Sequence, residues 1–330
     1  MILRDYQQRA IDDLYSWFGS NVGNPCLVLP TGAGKSLIIA ALCRDAIQQW
    51  PETRILMMSH VKELIEQNAE KMRAMWPGAP LGIYSASLRK RNLEEPITFA
   101  GIQSVRNKSK EIGHVDLVII DECHLVNHKA EGGYRTLIEE LTTINPELRV
   151  IGLTATPHRL GHGLITDKPA IFDDLLESVT IEELIHKGYL ANLRSKVTKE
   201  KLSTDGVHKR GGDFIESELQ AAVDTDAHNM AVVDEVIGLA GDRRHWLFFC
   251  AGVQHAVNIR DQLRLRGISA ETVTGETPQG ERAQIISDFK AGKIQALTNA
   301  NVLTTGFDAP NIDLIAMLRP TMSPSLYIQM

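Results

Sequence analysis

No apolar run in this sequence approaches the roughly 18 residues that a membrane-spanning helix requires, and the N-terminal segment MILRDYQQ does not resemble a signal peptide. Cysteine is scarce, and the four residues present form no C-x-x-C pair. That scarcity argues against a disulfide framework and a zinc site and favours a reducing cytoplasm. Positive charge is not in excess, since 41 acidic residues against 35 Lys and Arg give a net charge of −6. A nucleic-acid partner would therefore be contacted through local patches or through backbone N–H groups and hydroxyls.

The sequence does contain a regular alternation of short apolar runs and amphipathic stretches. Its 330 residues, 43% hydrophobic and 23% charged, suit two ordinary globular domains. Strands are predicted in the first half at 26–29, 54–59, 97–100, 115–120 and 148–153. Helices are predicted at 35–49, 61–75, 134–144 and 181–188. This order indicates a parallel sheet with helices on both faces.

The second half repeats the same pattern. Its predicted strands are 246–250, 271–275, 294–299 and 312–318, and its predicted helices are 254–266 and 279–289. A polar, basic stretch at 194–212 separates the halves. We therefore expect an α/β protein with a first lobe over residues 1–195, a linker region over 196–215 and a second lobe over 216–330.

The segment LPTGAGKS (29–36) follows the first predicted strand and opens a helix, as a phosphate-binding loop does. Gly32 and Gly34 let the backbone approach phosphates, while the loop residues and the helix start present N–H groups to anionic oxygens. Lys35 would reach the β- and γ-phosphates of ATP, and the Ser36 hydroxyl would ligate Mg²⁺. Leu29 stands where the general pattern has its first glycine. The alternative is a plain strand-to-helix turn that happens to contain GKS.

A second segment, which is acidic, argues against that alternative. The predicted strand 115–120 ends in Asp121-Glu122-Cys123-His124, at the edge where α/β sheets place their ligands. We expect Asp121 to hold Mg²⁺ and Glu122 to polarise the attacking water. Alone, two carboxylates at a strand end would more simply be an acidic turn.

Together with LTATP (153–157), these segments resemble motifs I, II and III of superfamily 2 helicases of the DExH type. Five further segments are similar to other motifs of the family: LRDYQ (3–7), SHVKEL (59–64), TFAGIQSV (98–105), FFCAGVQH (248–255) and NVLTTGFDAP (301–310). Within the superfamily, LTATPHRLG, VLTTGFDAP and LIAMLRPT look most like bacterial RadD-type DNA-repair proteins and phage relatives. The resemblance implies two RecA-like lobes, each a mostly parallel sheet with helices on both faces, with ATP in the cleft between them.

The resemblance also assigns roles to individual residues. ATP would be bound by the adenine-reading Gln7 with Arg4, by the loop from the first lobe, and by motif V from the second: Thr31, Gly32, Ala33, Gly34, Lys35, Ser36, Gly306 and Asp308. Phosphate state would be coupled to lobe orientation by His124, Thr154, Thr156 and Gln329. Sequence-independent contacts to a DNA backbone would come from Ser59, His60, Lys62, Gly101, Gln103, Ser104, Thr304 and Thr305.

The leading hypothesis is a DNA-dependent ATPase that moves along or remodels DNA, with a place in DNA repair, in a bacterial or phage-encoded cytoplasmic protein. Alternatives of the same class are an RNA-dependent DExH helicase and the motor subunit of a restriction complex. An alternative of another class is a nucleotide-gated binding module that hydrolyses ATP poorly. A P-loop small-molecule kinase is disfavoured by the NVLTTGFDAP segment.

The segment SPSLYIQM (323–330) predicts a helix that begins with Ser323 as N-cap and Pro324 at its first position. In the resembled family this helix carries motif VI, whose first residue Gln329 matches. We therefore expect a chain that stops before the arginines of motif VI and before a RadD-type zinc module, and that binds ATP more readily than it hydrolyses it.

Overall fold

The computed structural model describes residues 2–126, 132–159, 163–196, 198–304 and 307–330, with only the backbone at position 159. They form two compact units, Met1–Asn192 and Leu193–Met330. Of the predicted site residues, Thr305 and Gly306 lie outside the described part of the chain. Among the residues described, no helix is both long and apolar enough to cross a membrane.

The first unit contains the predicted strands and helices, with differences of a few residues at their ends, and also elements that were not predicted, among them a long N-terminal helix. Its helices are α1 (Asp5–Ser20), α2 (Lys35–Gln49), α3 (Lys62–Met75), α4 (Ile102–Val105), α5 (Ser109–Ile112), α6 (Gly133–Ile144) and α7 (Ile181–His186). Its strands are β1 (Pro25–Val28), β2 (Ile55–Ser59), β3 (Leu81–Ser85), β4 (Lys90–Arg91), β5 (Ile97–Gly101), β6 (Leu117–Asp121), β7 (Arg149–Thr154), β8 (His158–Arg159), β9 (Gly163–Leu164) and β10 (Asp174–Glu177).

Eight of these strands form one sheet in the order β10-β1-β7-β6-β2-β5-β3-β4, parallel except for the edge pair β3–β4. The central strands are apolar up to their last residues, Ser59 in β2 and Asp121 in β6, because both faces of the sheet are covered by two buried clusters. Because neighbouring strands are parallel, the carboxyl ends of β1, β7, β6, β2 and β5 share one edge. The loops that leave this edge carry every first-lobe segment that the family resemblance singled out, apart from LRDYQ.

The second unit has a smaller sheet, β14-β15-β13-β16, with parallel pairs throughout. Its strands are β11 (Lys209–Arg210), β12 (Asp213–Phe214), β13 (Trp246–Cys250), β14 (Ala270–Val273), β15 (Ala296–Asn299) and β16 (Leu314–Leu318). Its helices are α8 (Glu216–Val223), α9 (Asp226–Ala240), α10 (Val253–Leu265), α11 (Gln279–Lys290) and α12 (Pro324–Gln329). The prediction of two lobes with mostly parallel sheets is confirmed by this architecture.

The stretch between the halves is structured with the second unit. Leu202, Val207 and Phe214 pack against the buried cluster that contains Leu219. Asp213 accepts hydrogen bonds from the Thr321 hydroxyl at 2.7 Å and from the backbone N–H of Met322 at 2.8 Å. The predicted helix start at Ser323 is present, since the Ser323 hydroxyl accepts from the Leu326 N–H at 3.2 Å.

Candidate active site

The phosphate-loop segment leaves β1 and turns into α2 with a backbone that requires glycine. Gly32 and Gly34 have φ values of 80° and 79°, in the left-handed region that residues with a Cβ rarely adopt. A Cβ on Gly34 would lie 2.6 Å from Gln7 Nε2. The helix begins at Lys35 with no side-chain cap, so its first N–H groups remain available for an anion.

The loop is held from the outside by α1. The Tyr6 hydroxyl and the Gln7 Nε2 both donate to the Ala33 carbonyl, at 2.8 and 3.0 Å, and both side chains are buried. Gln7 Oε1 accepts from the Arg4 N–H at 3.0 Å, and the Arg4 guanidinium lies 4.3 Å from the centre of the Tyr189 ring. Gln7 therefore positions the phosphate loop, in addition to the adenine contact that the sequence predicts. Thr31 is exposed beside Gly32 on the loop.

The acidic pair lies next to the loop. Lys35 Nζ is 3.4 Å from Glu122 Oε1, and both side chains are only about a tenth exposed. Asp121, at the end of β6, accepts from Asn68 Nδ2 at 2.9 Å and from the Glu122 N–H at 3.0 Å. Ser36 follows Lys35 at the start of α2. One lysine, two carboxylates and one hydroxyl thus belong to the same corner of the lobe.

Electrostatics at this corner disfavours the ionised form of Asp121. Burial first, and then the charge of Glu122, raise the pKa of Asp121 to about 6, although Lys35 and Asn68 act in the opposite direction. Glu122 has left-handed backbone angles (φ 49°, ψ 51°), a conformation that costs free energy in a residue other than glycine. Its Oε2 is buried and accepts no hydrogen bond from any residue that the structure describes. These two buried carboxylates fit a bound cation better than they fit an interior made of protein alone.

A short polar chain links the acidic pair to β7. His124 Nδ1 lies 3.4 Å from Glu122 Oε2 and 2.8 Å from the Thr154 hydroxyl oxygen. That same oxygen accepts from the Thr156 N–H at 3.0 Å, and the Thr154 carbonyl accepts from the Leu29 N–H at 2.9 Å. His124, Thr154 and Thr156 are therefore in contact with the acidic pair and with the loop, as a coupling role requires.

Asn68 is a member of this site that sequence reasoning missed. It lies in the middle of α3, is 1% exposed, and joins that helix to Asp121. No motif marks it, because its contact spans 53 positions of the chain and depends on how α3 packs.

Two buried thiols lie next to the acidic segment. Cys26 Sγ, in β1, lies 3.4 Å from Cys123 Sγ, which directly follows Glu122. The strand between them, β7, has Gly152 at this level, and a Cβ there would lie 2.8 Å from Cys123 Sγ and 2.7 Å from the Phe172 ring. Burial raises the pKa of Cys123 well above its usual range. The pair fills space and is chemically quiet in the folded lobe.

The predicted nucleic-acid contacts of the first lobe follow β2 and β5 at the same sheet edge. His60 and Gln103 are exposed, and Lys62 lies 3.9 Å from Glu63. Gly101 is the N-cap of α4. Ser59 is completely buried and its hydroxyl accepts weakly from Val61, at 3.4 Å. The Ser104 hydroxyl accepts from the Ala86 N–H at 2.9 Å.

The predicted residues of the second lobe belong to a separate unit, and each is described within it. Thr304 is half-buried and Asp308 exposed in the segment before β16, and Gln329 is half-buried in α12. Their contribution to a site shared with the first lobe stays a prediction.

Comparison with known families divides the chain as the fold does. Residues 1–159 match the family "Type III restriction enzyme, res subunit", and residues 228–330 match "Helicase conserved C-terminal domain". The provisionally named ATP-dependent helicase IRC3 of Saccharomyces cerevisiae is 28% identical over all of this chain and 48% of its own length. The DNA 3'-5' translocase XPB2 of Sulfurisphaera tokodaii is 25% identical over 96% of this chain and 74% of its own.

Solved structures agree on the fold. The Hef helicase domain of Pyrococcus furiosus has a TM-score of 0.58 at 17% identity, covering 99% of this chain and 91% of its own. Dbp5 of S. cerevisiae, bound to RNA and ADP BeF3, has a TM-score of 0.62 at 15% identity, covering 98% and 78%. The chain spans about half the length of the curated relatives it matches first, at 48% and 54%. Those two relatives are yeast proteins, so they lend no support to the bacterial or phage origin expected above.

Proposed function

We propose that this chain, which belongs to the superfamily 2 helicases, is the ATP-hydrolysing motor region of a protein that moves along or remodels nucleic acid. The observation that carries the proposal is the corner formed by Lys35, Asp121 and Glu122 beside an uncapped helix start. An ion pair between a lysine and buried carboxylates adds little to stability, because the attraction between the charges is largely offset by the free energy needed to remove them from water. The same arrangement suits phosphoryl transfer, which depends on positioning and charge.

Each residue has a definite task in this proposal. The N–H groups at the start of α2 and the Lys35 ammonium bind the phosphates of ATP. Ser36 and Asp121 would hold Mg²⁺, which would neutralise charge on the phosphate oxygens. Glu122 orients the attacking water and accepts its proton. Asn68 keeps the Asp121 carboxylate in position through its 2.9 Å hydrogen bond.

Coupling to nucleic acid would run through two connections of the first lobe. The His124–Thr154–Thr156 chain joins the acidic pair to β7. Asn68 joins Asp121 to α3, whose N-terminal end carries His60 and Lys62. A strand bound at the start of α3 can therefore act on the metal-holding carboxylate through one rigid helix. In the proposal, closure of the second lobe with Asp308 and Gly306 completes the ATP site.

The polymer is proposed to be DNA, bound through its backbone without sequence preference. The DNA-translocase name of one relative and the resemblance of three segments to RadD-type proteins support this choice and a role in DNA repair. RNA is the second candidate, since the Dbp5 structure of similar fold is described as bound to RNA.

Phosphate release, measured alone and with single-stranded DNA, duplex DNA or RNA, tests the proposal. We expect turnover by this chain to be slow but measurable, and we expect DNA to stimulate it most. Lys35→Ala should abolish turnover, and Glu122→Gln should retain ATP binding while turnover falls by about 100-fold or more. The exposed residues Lys290 and Glu139 supply matched controls, as Lys290→Ala and Glu139→Gln, which should behave like the wild type. Undiminished hydrolysis by Lys35→Ala would refute the nucleotide site. Stimulation by RNA but not by DNA would show that RNA is the bound polymer.

A further inference from the structure

A cavity of about 410 Å³ opens on the first unit beside the predicted nucleic-acid contacts. Its walls come from three places: His60 after β2, Gln103 and Arg106 at α4, and Leu125 with Tyr134 after β6 and at the start of α6. The volume lies at the lower end of the roughly 300–1,000 Å³ typical of ligand sites. None of the residues that line the phosphate-loop corner is among these, so the cavity is separate from the proposed ATP site.

One wall of the cavity is aromatic and rigid. The Tyr134 hydroxyl and His60 Nδ1 are 3.1 Å apart, and the two rings lie with centroids 5.0 Å apart at an angle of 46°. Tyr134 is only 4% exposed and so anchors the more exposed His60 ring. Burial lowers the pKa of His60, which favours a neutral ring at neutral pH. This wall therefore offers an aromatic surface and no fixed charge.

The rest of the lining combines a cation with an uncovered apolar side chain. Arg106 is exposed and its stem lies against the start of α6, since a Cβ on Gly133 would meet Arg106 Cβ and Cδ at 3.3 Å. Leu125 is 41% exposed at the cavity, which is unusual for a leucine so near the core. The lining residues that the structure describes include no carboxylate. The cavity thus suits a ligand with one flat apolar part and one anionic part.

We propose that this cavity receives one base turned out of a bound single strand, with the adjoining phosphate on Arg106. A phosphate by itself needs only a surface contact. It would neither fill the cavity nor cover the exposed Leu125 side chain. Unstacked bases are bound between aromatic, apolar and guanidinium surfaces, and an amide such as that of Gln103 can bond to a base edge. The inference rests on the proposed function, because a strand must first bind this lobe.

The test compares 12-residue oligonucleotides that differ only in their bases. One set carries thymine (or uracil on RNA), and the other has abasic sugars with every phosphate retained. By fluorescence anisotropy, the wild type should bind the base-bearing strand about tenfold more tightly. The double variant Arg106→Ala/Leu125→Ser should reduce that ratio to below about threefold. Both side chains are exposed, so the fold should be retained.

Lys110→Ala is the matched control, since it removes the same charge from the neighbouring helix α5 at an exposed position outside the cavity. It should weaken both strands alike and leave the ratio near tenfold. A scan with one abasic position at a time should locate most of the loss at a single nucleotide. Equal binding of both strands by the wild type, or an unchanged ratio in the double variant, would overturn the inference while nucleic-acid binding stood. Failure to bind either strand would refute the nucleic-acid part of the proposed function itself, and the inference with it.

Discussion

Asp121 is subject to opposite demands from stability and from the proposed catalysis, and Asp121→Asn should separate them. The carboxyl group is 3% exposed and its pKa is raised to about 6 from an ordinary 3.8, first by burial and then by Glu122. A carboxyl with a raised folded-state pKa stabilises the fold most when protonated. Its contribution is fully present below the unfolded pKa near 4 and is lost as the pH rises through about 6.

The size of the effect follows from that shift. About two pKa units correspond to about 3 kcal/mol of unfolding free energy near pH 8. Asparagine keeps the shape of the side chain and its carbonyl can still accept from the Glu122 N–H. Its amide would face Asn68 Nδ2, but Asn68 Oδ1 has no partner within the described part of the chain and can accept once the Asn68 amide is rotated by 180°. The rotated Asn68 amide leaves one N–H group unpaired, and that cost is subtracted from the gain. We therefore expect Asp121→Asn to raise the unfolding free energy by about 1–3 kcal/mol.

Calorimetric unfolding in EDTA measures this stabilisation on the transition of the unit Met1–Asn192. At about pH 8 the midpoint should rise by about 2–12 °C, and at about pH 5 the gain in unfolding free energy should be smaller by about 1.5 kcal/mol. Asp12→Asn, an exposed change of the same kind, should alter neither value measurably. ATP turnover by Asp121→Asn should be lost. If the variant were less stable than the wild type at pH 8, with no pH dependence in the difference, the argument from desolvation would be wrong.

Three further predictions concern the surroundings of this site and the second lobe. Asn68→Ala should raise the Mg²⁺ concentration needed for half-maximal turnover several-fold while the KM for ATP at saturating Mg²⁺ stays near the wild-type value; equal loss at all Mg²⁺ concentrations would contradict a positioning role. Gly152→Ala should destabilise the first unit by about 1–3 kcal/mol, because its Cβ would lie 2.7 Å from the Phe172 ring, and Phe172→Leu should restore part of the loss in urea unfolding. Thr225→Ala should cost the second unit about 1 kcal/mol, since the Thr225 hydroxyl caps α9 through the His228 N–H, and an unchanged calorimetric midpoint would show that the cap is dispensable.

The sequence predicts the central parts of both sheets well, and the reason is physical. Buried parallel strands are short continuous apolar runs, so the runs that became β2, β5, β6, β7 and β13 stand out from their surroundings. Two outer strands of the first sheet, β10 and β3, carry no such signal, although both outer strands of the second sheet were predicted. In β10 the sequence DLLE is half exposed, and β3 contains a glycine, so neither was expected. Tertiary pairing supplies what local pattern lacks there.

The candidate site likewise contains residues that the sequence predicts and residues that it does not. Lys35, Ser36, Asp121 and Glu122 can be recognised in the sequence because a glycine-rich loop before a helix and an acidic strand end occur together, and this combination matches a known phosphate-binding chemistry. The side chains that hold them in place do not, since Asn68 occupies an ordinary position on an amphipathic helix and its partner is far along the chain. Contacts of that kind are fixed only by the packed structure, and a single sequence contains no sign of them.

The buried cysteines of the two lobes can report how often each lobe opens. Cys26, Cys43 and Cys123 have no exposed surface at all, and Cys250 is only 1% exposed. An alkylating reagent can therefore modify a thiol only during the moments when its lobe opens. The modification rates at Cys123 and Cys250 would record, separately and without any engineered label, how often each lobe opens. The same two rates with ATP bound would record how much each lobe is held shut by its nucleotide.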